Sequence, residues 1–466
     1  MNHKRLTYQT ACLAAITTLA VPAYAVPPTA TATDTQRSAV ADTGAPLTVD
    51  GAIAYALTHN PDLRGSVADA AGAAADTSAA LAQQKLRVSA NLYGTAGNMS
   101  NIVMSAPDVA PQSFVMVPSK GFVDQNITAA IPLTTGGRRE ALVRSARNTA
   151  SAAASGRDAM AHHLAADVAS AYIDAVLAAD LQAVAQSRVD AETEQVRIVA
   201  ERVANGKLAE VDNLREQAEL ADARQAFISA QTRAQLALVT LKTAMGADQT
   251  TLYTLSDTLD TLSKRWPAPV GTMGQAIAAG IGARFEITSA QRTLDAAKEQ
   301  VNAAKALFKP QVVGFGMLDI NSPVERNVSA TTGYTVGVAA SLPLADGGER
   351  RANTAAAQEK AARADADAGS TRNRIAGEIA EAWLRLSPAS GQVTAAEAGF
   401  AASQKAYDLS VMRYDAGKAI AAERLAALSA LTRARGSLRE AIAEQIKARL
   451  ALVRATGAEL GGVGGH

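Results

Sequence analysis

The sequence predicts an α+β membrane protein made of two repeats, in which long coiled-coil-like helices carry two β-hairpins. Short blocks of sequence recur 211 positions apart: Arg202-Val-Ala-Asn-Gly-Lys207, for example, returns as Arg413-Tyr-Asp-Ala-Gly-Lys418. Helical patterns of some 66 residues alternate with two stretches in which apolar residues recur at every second position, which is typical of strands. Few repeats with a long period indicate duplicated halves of one architecture rather than a solenoid.

Composition favours closely packed helices. Hydrophobic residues make up 48% of the 466 residues and aromatic residues only 4%, because most of the apolar residues are alanine. The net charge of +1 gives no general attraction to nucleic acid, and we expect no nucleic-acid partner. The sequence has no phosphate-binding loop, nucleophile elbow or zinc-protease motif, which predicts that the protein is not an enzyme and holds no cofactor or metal.

The N-terminus has the pattern of a secretory signal peptide over residues 1–25. Lys4 and Arg5 form a basic start, an apolar stretch follows, and small residues precede a cleavage site after Ala25. Residues 26–47 are rich in Pro, Thr and Ala, which predicts a flexible leader.

Cleavage would leave a mature chain without cysteine, because Cys12 is the only one. This excludes disulfides and thiolate metal sites in the mature chain. Beyond the signal, no run of 18 apolar residues lacks charges, so we expect no membrane-spanning helix.

Repeat 1 is predicted over residues 48–247. Its first helix is interrupted at Asn60-Pro61, since proline suits the first turn of the following helix. The remaining elements are a β-hairpin at 87–133, a long helix at 138–203 and a return helix at 207–245. An inter-repeat segment is predicted at 248–272.

Repeat 2 is predicted over residues 273–458 and has the same order of elements. An initial helix precedes a β-hairpin at 311–344, a long helix at 349–414, a return helix at 418–456 and a tail at 459–466. Pro388 should kink the long helix. Helices this long need a coiled-coil partner, and the seven-residue spacing of Val393, Phe400, Tyr407 and Tyr414 supports one.

Four strands per chain cannot form a closed sheet, and open strand edges are not viable in a bilayer. The strands therefore form either a small soluble sheet or part of a barrel to which several chains contribute. The secretory signal and the alternating strand pattern favour the shared barrel.

The chain resembles the TolC family of outer-membrane efflux and secretion channels over residues 48–458 or so. The resemblance rests on the order and duplication of several short motifs: Ala56-Leu-Thr-His-Asn-Pro-Asp-Leu63, two Pro-Leu-x-x-Gly-Gly-x-Arg segments starting at Pro132 and Pro343, Ala171-Tyr172, two Arg-x-x-x-Gly-Lys turns, and Leu452-x-x-x-x-Gly457.

Membership would imply a homotrimer in the outer membrane, with a twelve-stranded barrel and a periplasmic helical tunnel. It would also imply docking to a periplasmic adaptor and an inner-membrane pump. The function implied is passive export through a tripartite efflux pump or a type I secretion system, gated at the periplasmic helix tips. The alternative is a secreted coiled-coil scaffold or adhesin without channel activity.

The two Arg-x-x-x-Gly-Lys turns are helix-hairpin tips. Glycine ends a helix by adopting a positive φ, and a base near a helix C-terminus suits the helix dipole, which alone explains these residue types. The resemblance additionally implies that the tips contact the adaptor through six residues: Arg202, Gly206, Lys207, Arg413, Gly417 and Lys418.

Asp212 and Glu423 occupy matching positions just inside the return helices, where the helix dipole also favours a carboxylate. The resemblance implies that both line a periplasmic gate, joined by Tyr414, which could hydrogen-bond to Asp212 across the hairpins. Core packing is the alternative role of Tyr414. The family often has an arginine and a second acidic residue near this second turn, where this chain has Ala419 and Ala426.

Overall fold

A computed structural model describes residues 46–96, 101–104, 114–117, 121–323 and 329–460. The signal peptide, all of the leader before Pro46 and the end of the tail lie outside the described residues. The chain divides into a small unit, described only at Pro46 and at Thr250–Thr254, and a large unit made of Leu47–Gln249 and Leu255–His466. All of the described helices and the main sheet belong to the large unit.

The helices of the two halves have matching lengths. In the first half they are α1 (Val49–His59), α2 (Pro61–Ala82), α3 (Arg138–Ala204) and α4 (Glu210–Met245). After α5 (Leu259–Arg265), the second half has α6 (Met273–Ala283), α7 (Phe285–Lys305), α8 (Glu349–Asp415) and α9 (Ala421–Thr456). Both long helices have 67 residues and both return helices have 36, as expected for a duplicated architecture.

The return helices start three residues later than the sequence suggests, at Glu210 and Ala421 rather than at 207 and 418. Each turn first passes through a glycine with positive φ and then through an extended residue, Ala209 or Ile420, that precedes the helix. These extra residues reverse the chain direction. The second long helix, α8, continues without interruption through Pro388.

Equivalent contacts hold the breaks between α1 and α2 and between α6 and α7. The Asn60 side chain accepts hydrogen bonds from the first turn of α2, and its Nδ2 donates to the Ala244 carbonyl at 3.0 Å. At the matching break, Arg284 Nη1 donates to the Ala455 carbonyl at 3.2 Å. Each break therefore docks on the last turn of its own return helix.

One antiparallel sheet combines strands from both halves. Its order is β2 (Arg87–Ala96), β5 (Gly121–Thr134), β7 (Gln311–Pro323) and β8 (Thr331–Ser341). The β5–β7 pairing joins the two hairpins, with Ile127 opposite Leu318. The connection between β2 and β5 contains a further hairpin of β3 (Asn101–Met104) and β4 (Phe114–Val117), where the sequence suggested only a loop. Two short strands, β1 (Pro46–Leu47) and β6 (Thr254–Leu255), form a separate pair.

The sheet has one apolar and one polar face. Large apolar side chains are exposed on one face: Val88, Leu92, Val123, Ile127, Ile131, Leu318, Tyr334, Val336 and Val338. On the other face, Ser89 and Thr128 share a hydrogen bond at 2.7 Å, and Asn91 Nδ2 donates to Asn126 Oδ1 at 2.9 Å. Within the described sheet, the outer edges of β2 and β8 have no strand partner. The alternation of apolar and polar side chains along each strand is typical of a sheet with one face toward lipid.

Aliphatic side chains form a buried core between α8 and α9. Ile375, Ile379 and Ala382 of α8 pack against Leu452 and Ala455 of α9. One described helix, α3, is long and apolar enough to cross a membrane by length and composition, with a window of mean hydropathy 1.4. Since alanine-rich packed helices meet the same criterion, this is weak evidence for a span.

Candidate functional site

The α3–α4 and α8–α9 turns have the same backbone. Gly206 and Gly417 both have a φ of 69°, a left-handed conformation that favours glycine. The Lys207 N–H donates to the Arg202 carbonyl at 2.8 Å, and the Lys418 N–H makes the same bond to Arg413 at 2.8 Å. These bonds satisfy carbonyls that the helix end would otherwise leave free.

Two arginines of the turns form ion pairs. Arg202 Nη2 lies 3.4 Å from Asp415 Oδ1 and so links the first turn to the second. Arg413 Nη1 lies 3.6 Å from Glu423 Oε1, within the second hairpin. Gly206, Lys207, Gly417 and Lys418 are exposed, which makes the two turns accessible to a partner.

Tyr414 and Asp212 do not meet within one chain. Tyr414 is 9% exposed, and its ring lies 5.4 Å from the Arg202 guanidinium and 5.9 Å from that of Arg424. Its hydroxyl is buried and has no hydrogen-bond partner among the described residues. Asp212 is half-buried, and no ion pair of its carboxylate occurs in the described part of the chain. Tyr414 therefore packs in the core of the chain, with a cation–π contact on its ring.

A buried charged cluster lies close to Tyr414. Arg424 of α9 donates from Nη2 to Glu216 Oε2 of α4 at 3.1 Å, and the same nitrogen lies 3.7 Å from Glu192 Oε2 of α3. The three residues, called here the Arg424 cluster, are at most 4% exposed. Two carboxylates face one guanidinium, so the cluster has an excess negative charge when both carboxylates are ionised.

Burial raises the pKa of both the Glu192 and the Glu216 carboxyl groups above the ordinary value, and the Arg424 guanidinium opposes that rise. Several polar atoms around the cluster are buried without a hydrogen-bond partner among the described residues: both Glu192 carboxylate oxygens, Glu216 Oε1, Arg424 Nε, Gln195 Nε2 and the Tyr414 hydroxyl. Such a network is sensitive to the loss of any member, because each remaining group stays desolvated.

Sequence reasoning missed this cluster, although one signal for it was present. Val189, Val196 and Val203 form a heptad row, and Glu192 lies three residues after Val189, at the second core position of the heptad. A charged residue at such a position indicates a buried partner on a facing helix. Nothing in the spacing identified Arg424 as that partner.

The described residues contain no group of three or more His, Cys, Asp or Glu side chains that could hold a metal ion. The interactions seen at the two turns are ion pairs and a cation–π contact, and their lysines are exposed. This arrangement can hold helices together or bind a protein surface.

A family model described as outer membrane efflux protein matches residues 52–247 and 280–458. The chain belongs to the outer membrane efflux protein family. The resemblance seen in the duplicated motifs is thereby confirmed. The match covers both repeats, including both helical turns and the Arg424 cluster.

Solved structures of outer-membrane channels have a similar fold. CusC has 18% sequence identity and a TM-score of 0.72, with 88% of this chain and 92% of that chain covered. VceC from Vibrio cholerae has 19% identity and a TM-score of 0.70, with 88% and 96% covered. The open state of MtrE from Neisseria gonorrhoeae has 20% identity and a TM-score of 0.71, with 89% of each chain covered. No curated protein matches the sequence.

Family membership decides between the two functions that the sequence left open. The protein is an outer-membrane efflux channel protein and not a secreted coiled-coil scaffold or adhesin. Its location is the outer membrane. The family consists of channel proteins rather than enzymes.

Proposed function

We propose that three copies of this chain form the exit duct of a tripartite efflux pump or type I secretion system. The observation that carries the proposal is the four-stranded amphipathic sheet with two unpaired edges. Pairing β8 of one copy with β2 of the next would close a barrel of twelve strands, within the size range of membrane barrels. The exposed apolar face would then contact lipid, and the polar face would line the pore.

The helices would continue this pore into the periplasm. A helix of 67 residues such as α3 or α8 extends about 100 Å at 1.5 Å per residue. The turns lie at the ends of these helices farthest from the sheet. We expect their six exposed or ion-paired residues to contact a periplasmic adaptor that connects the duct to an inner-membrane pump: Arg202, Gly206, Lys207, Arg413, Gly417 and Lys418.

Asp212 and Glu423 would lie at the periplasmic entrance. Both positions follow a turn closely, and Glu423 is exposed apart from its ion pair with Arg413. Three copies would place six carboxylates near the entrance, an arrangement that favours cations over anions.

The Arg424 cluster would keep the entrance closed. Arg424 connects α9 to both α3 and α4, so the α8–α9 pair cannot move away from the α3–α4 pair while these contacts persist. Adaptor binding at the turns would shift the balance toward the separated arrangement. Tyr414, held between Arg202 and Arg424, would move with α8.

Electron microscopy of the detergent-solubilised full-length protein tests the assembly. We expect three-fold symmetric particles with a detergent belt at one end. Monomers, or filaments without a belt, would contradict the duct.

Single-channel conductance in planar bilayers tests the closing contact. Arg424→Leu should increase the conductance or the open fraction, because it frees α9 from Glu192 and Glu216. Arg439→Leu is a matched control on the same helix, since Arg439 makes a partly exposed ion pair with Asp180 at 3.7 Å and is itself 35% exposed. Equal conductance of the Arg424→Leu variant and the wild-type protein would reject the closing role.

A further inference from the structure

The polar face of the sheet carries two acidic residues without a basic counterpart. Asp124 of β5 and Asp319 of β7 are the only acidic residues of the four main strands. The only basic residue of these strands is Arg87, which lies opposite Ala130, six residues along β5 from Asp124. Asp124 is only 4% exposed. Ionised carboxylates buried without a counter-charge are unfavourable, so this position needs a positive charge or a shared proton.

The strand register brings four polar side chains together. Asp124 lies opposite Asn321, and Asn126 lies opposite Asp319. Residues directly opposite each other in an antiparallel pair have their side chains on the same face. Asp319 lies two residues before Asn321 on β7, so it is the diagonal neighbour of Asp124 on the same face of the sheet. Asn126 Nδ2 donates to Asp124 Oδ2 at 3.0 Å and so orients that carboxylate.

Asn321 supplies a further oxygen that points to a ligand. Its side chain is on the same face as the two carboxylates, and the residue is 7% exposed. The amide oxygen Oδ1 is buried and has no hydrogen-bond partner among the described residues. A buried amide oxygen without a donor, next to two carboxylates, is the kind of acceptor that a cation satisfies.

We propose that Asp124, Asp319 and Asn321 bind a divalent cation of the calcium type. Carboxylate and amide oxygens are the protein ligands that Ca²⁺ prefers, and Ca²⁺ accepts irregular coordination completed by water. Its two positive charges would balance the two carboxylates. Asn126 holds Asp124 in place as an orienting neighbour rather than as a ligand.

The site would strengthen the junction between the two repeats. The β5–β7 pairing is the only contact in the main sheet between the first hairpin and the second. Asp124 is ten residues before Thr134, the end of β5 on the helix side, which corresponds to about 33 Å of strand. In the proposed barrel, this distance places the cation near the outer surface of the cell. The site itself does not depend on the barrel, because all three ligands come from one chain.

Calorimetric titration tests the proposal directly. Full-length protein in detergent is dialysed against EDTA, freed of chelator and titrated with CaCl₂. We expect one ion per chain, with a dissociation constant of about 10⁻⁴–10⁻³ M, as in extracellular calcium modules. Asp124→Asn should abolish the heat of binding. Asn321→Leu should weaken binding by about 10–100-fold.

Asp222→Asn is the matched control, because Asp222 is an exposed carboxylate on α4 far along the chain from the sheet. It should bind Ca²⁺ like the wild-type protein. Loss of binding in this control to the same extent as in Asp124→Asn would contradict the assignment, since binding would then reflect overall charge.

Thermal unfolding of the protein, with Ca²⁺ and with EDTA, provides a second measurement. Ca²⁺ should raise the midpoint of the wild-type protein, because a ligand bound only to the folded state stabilises it. Asp124→Asn should raise the midpoint in EDTA and remove the response to Ca²⁺, because it removes the carboxylate repulsion. Absence of both a binding heat and a Ca²⁺ effect on the wild-type midpoint would overturn the proposal, leaving a shared proton or a base from the adjoining loops. Microscopy distinguishes failure of the cation site from failure of the proposed trimer, because only the latter removes the three-fold symmetry of the particles.

Discussion

The two helical turns differ in chemistry although their backbones are equivalent. Both have a glycine at φ 69° and the same bond from a lysine N–H to an arginine carbonyl. The second hairpin has Tyr414 and Arg424 where the matching positions of the first have Val203 and Asn213. Duplication thus preserved the residues that shape each turn and changed those at which the two hairpins meet.

The breaks between α1 and α2 and between α6 and α7 show the same pattern. Asn60 and Arg284 occupy matching positions and both donate to the last turn of a return helix. Arg284 also forms an ion pair with Glu378 of α8 at 3.3 Å, a contact that the shorter Asn60 cannot provide. At this break, the second repeat is therefore held by an ion pair and charged hydrogen bonds, whereas the first is held by neutral hydrogen bonds.

The largest expected effect is that of Arg424→Leu. The change leaves Glu192 and Glu216 buried without a counter-charge, which should cost about 3–5 kcal/mol of stability. Unfolding in guanidinium, followed by far-UV circular dichroism, measures it. Arg413→Leu removes the exposed ion pair between Arg413 and Glu423, and it should cost less than about 1 kcal/mol of stability. Equal losses for the two variants would mean that the second turn is not distinguished by its buried charges.

Gly206→Ala and Gly417→Ala should have smaller and equal effects. An alanine at the left-handed φ of either turn costs about 1–2 kcal/mol. The added Cβ meets no other atom within 4 Å at either position, so backbone strain is the only contribution. Thermal midpoints of the two variants measure the cost. A difference larger than the experimental error would show that the two turns are not equivalent in backbone energetics.

Asn60→Ala should cost about 1 kcal/mol, within the range for loss of a helix N-cap. The variant loses the bonds to the Asp62 and Leu63 N–H groups as well as the contact to Ala244. Asn60→Asp retains the capping oxygen but loses the amide that donates to Ala244 of α4, and it should recover most of the stability. The comparison therefore distinguishes the contribution of the helix cap from that of the contact to α4. No recovery would mean that the contact to Ala244 dominates.

The smallest expected effect is the pH dependence of stability that arises from the Arg424 cluster. Burial raises the pKa of Glu192 and Glu216, but the positive charge of Arg424 offsets part of that rise. The folded state has raised pKa values for Glu192 and Glu216, so it binds protons more readily than the unfolded state. Stability should therefore increase as pH falls through the raised values toward the ordinary value of 4.5, and decrease as pH rises again. Glu192→Gln should flatten this dependence in urea unfolding measured across that window. An unchanged slope would show that Glu192 does not titrate there.

The repeats, the long helices and the hairpins could be predicted from the sequence, because glycines, prolines and periodicity are local signals. The later start of α4 and α9 could not, since the number of residues needed to reverse direction depends on how the two helices pack. The β3–β4 hairpin was missed because its strands are only four residues each.

The turns were also found correctly from sequence, whereas the contacts of their charged residues were not. Glu216 lies 208 residues before Arg424 along the chain and Glu192 lies still farther away, so the three residues meet only through helix packing. The hydrogen bond suggested between Tyr414 and Asp212 is not formed within one chain, because the Tyr414 ring packs between two guanidinium groups.

The unpaired edges of β2 and β8 have a consequence for biogenesis. A single subunit that entered the bilayer alone would leave two rows of backbone N–H and C=O groups unsatisfied, each at a cost of several kcal/mol. In the proposed trimer, insertion into the bilayer and association of the three subunits would therefore occur together, and a single subunit would stay outside the lipid until two others had bound. The rate of biogenesis should accordingly depend steeply on how fast subunits are delivered.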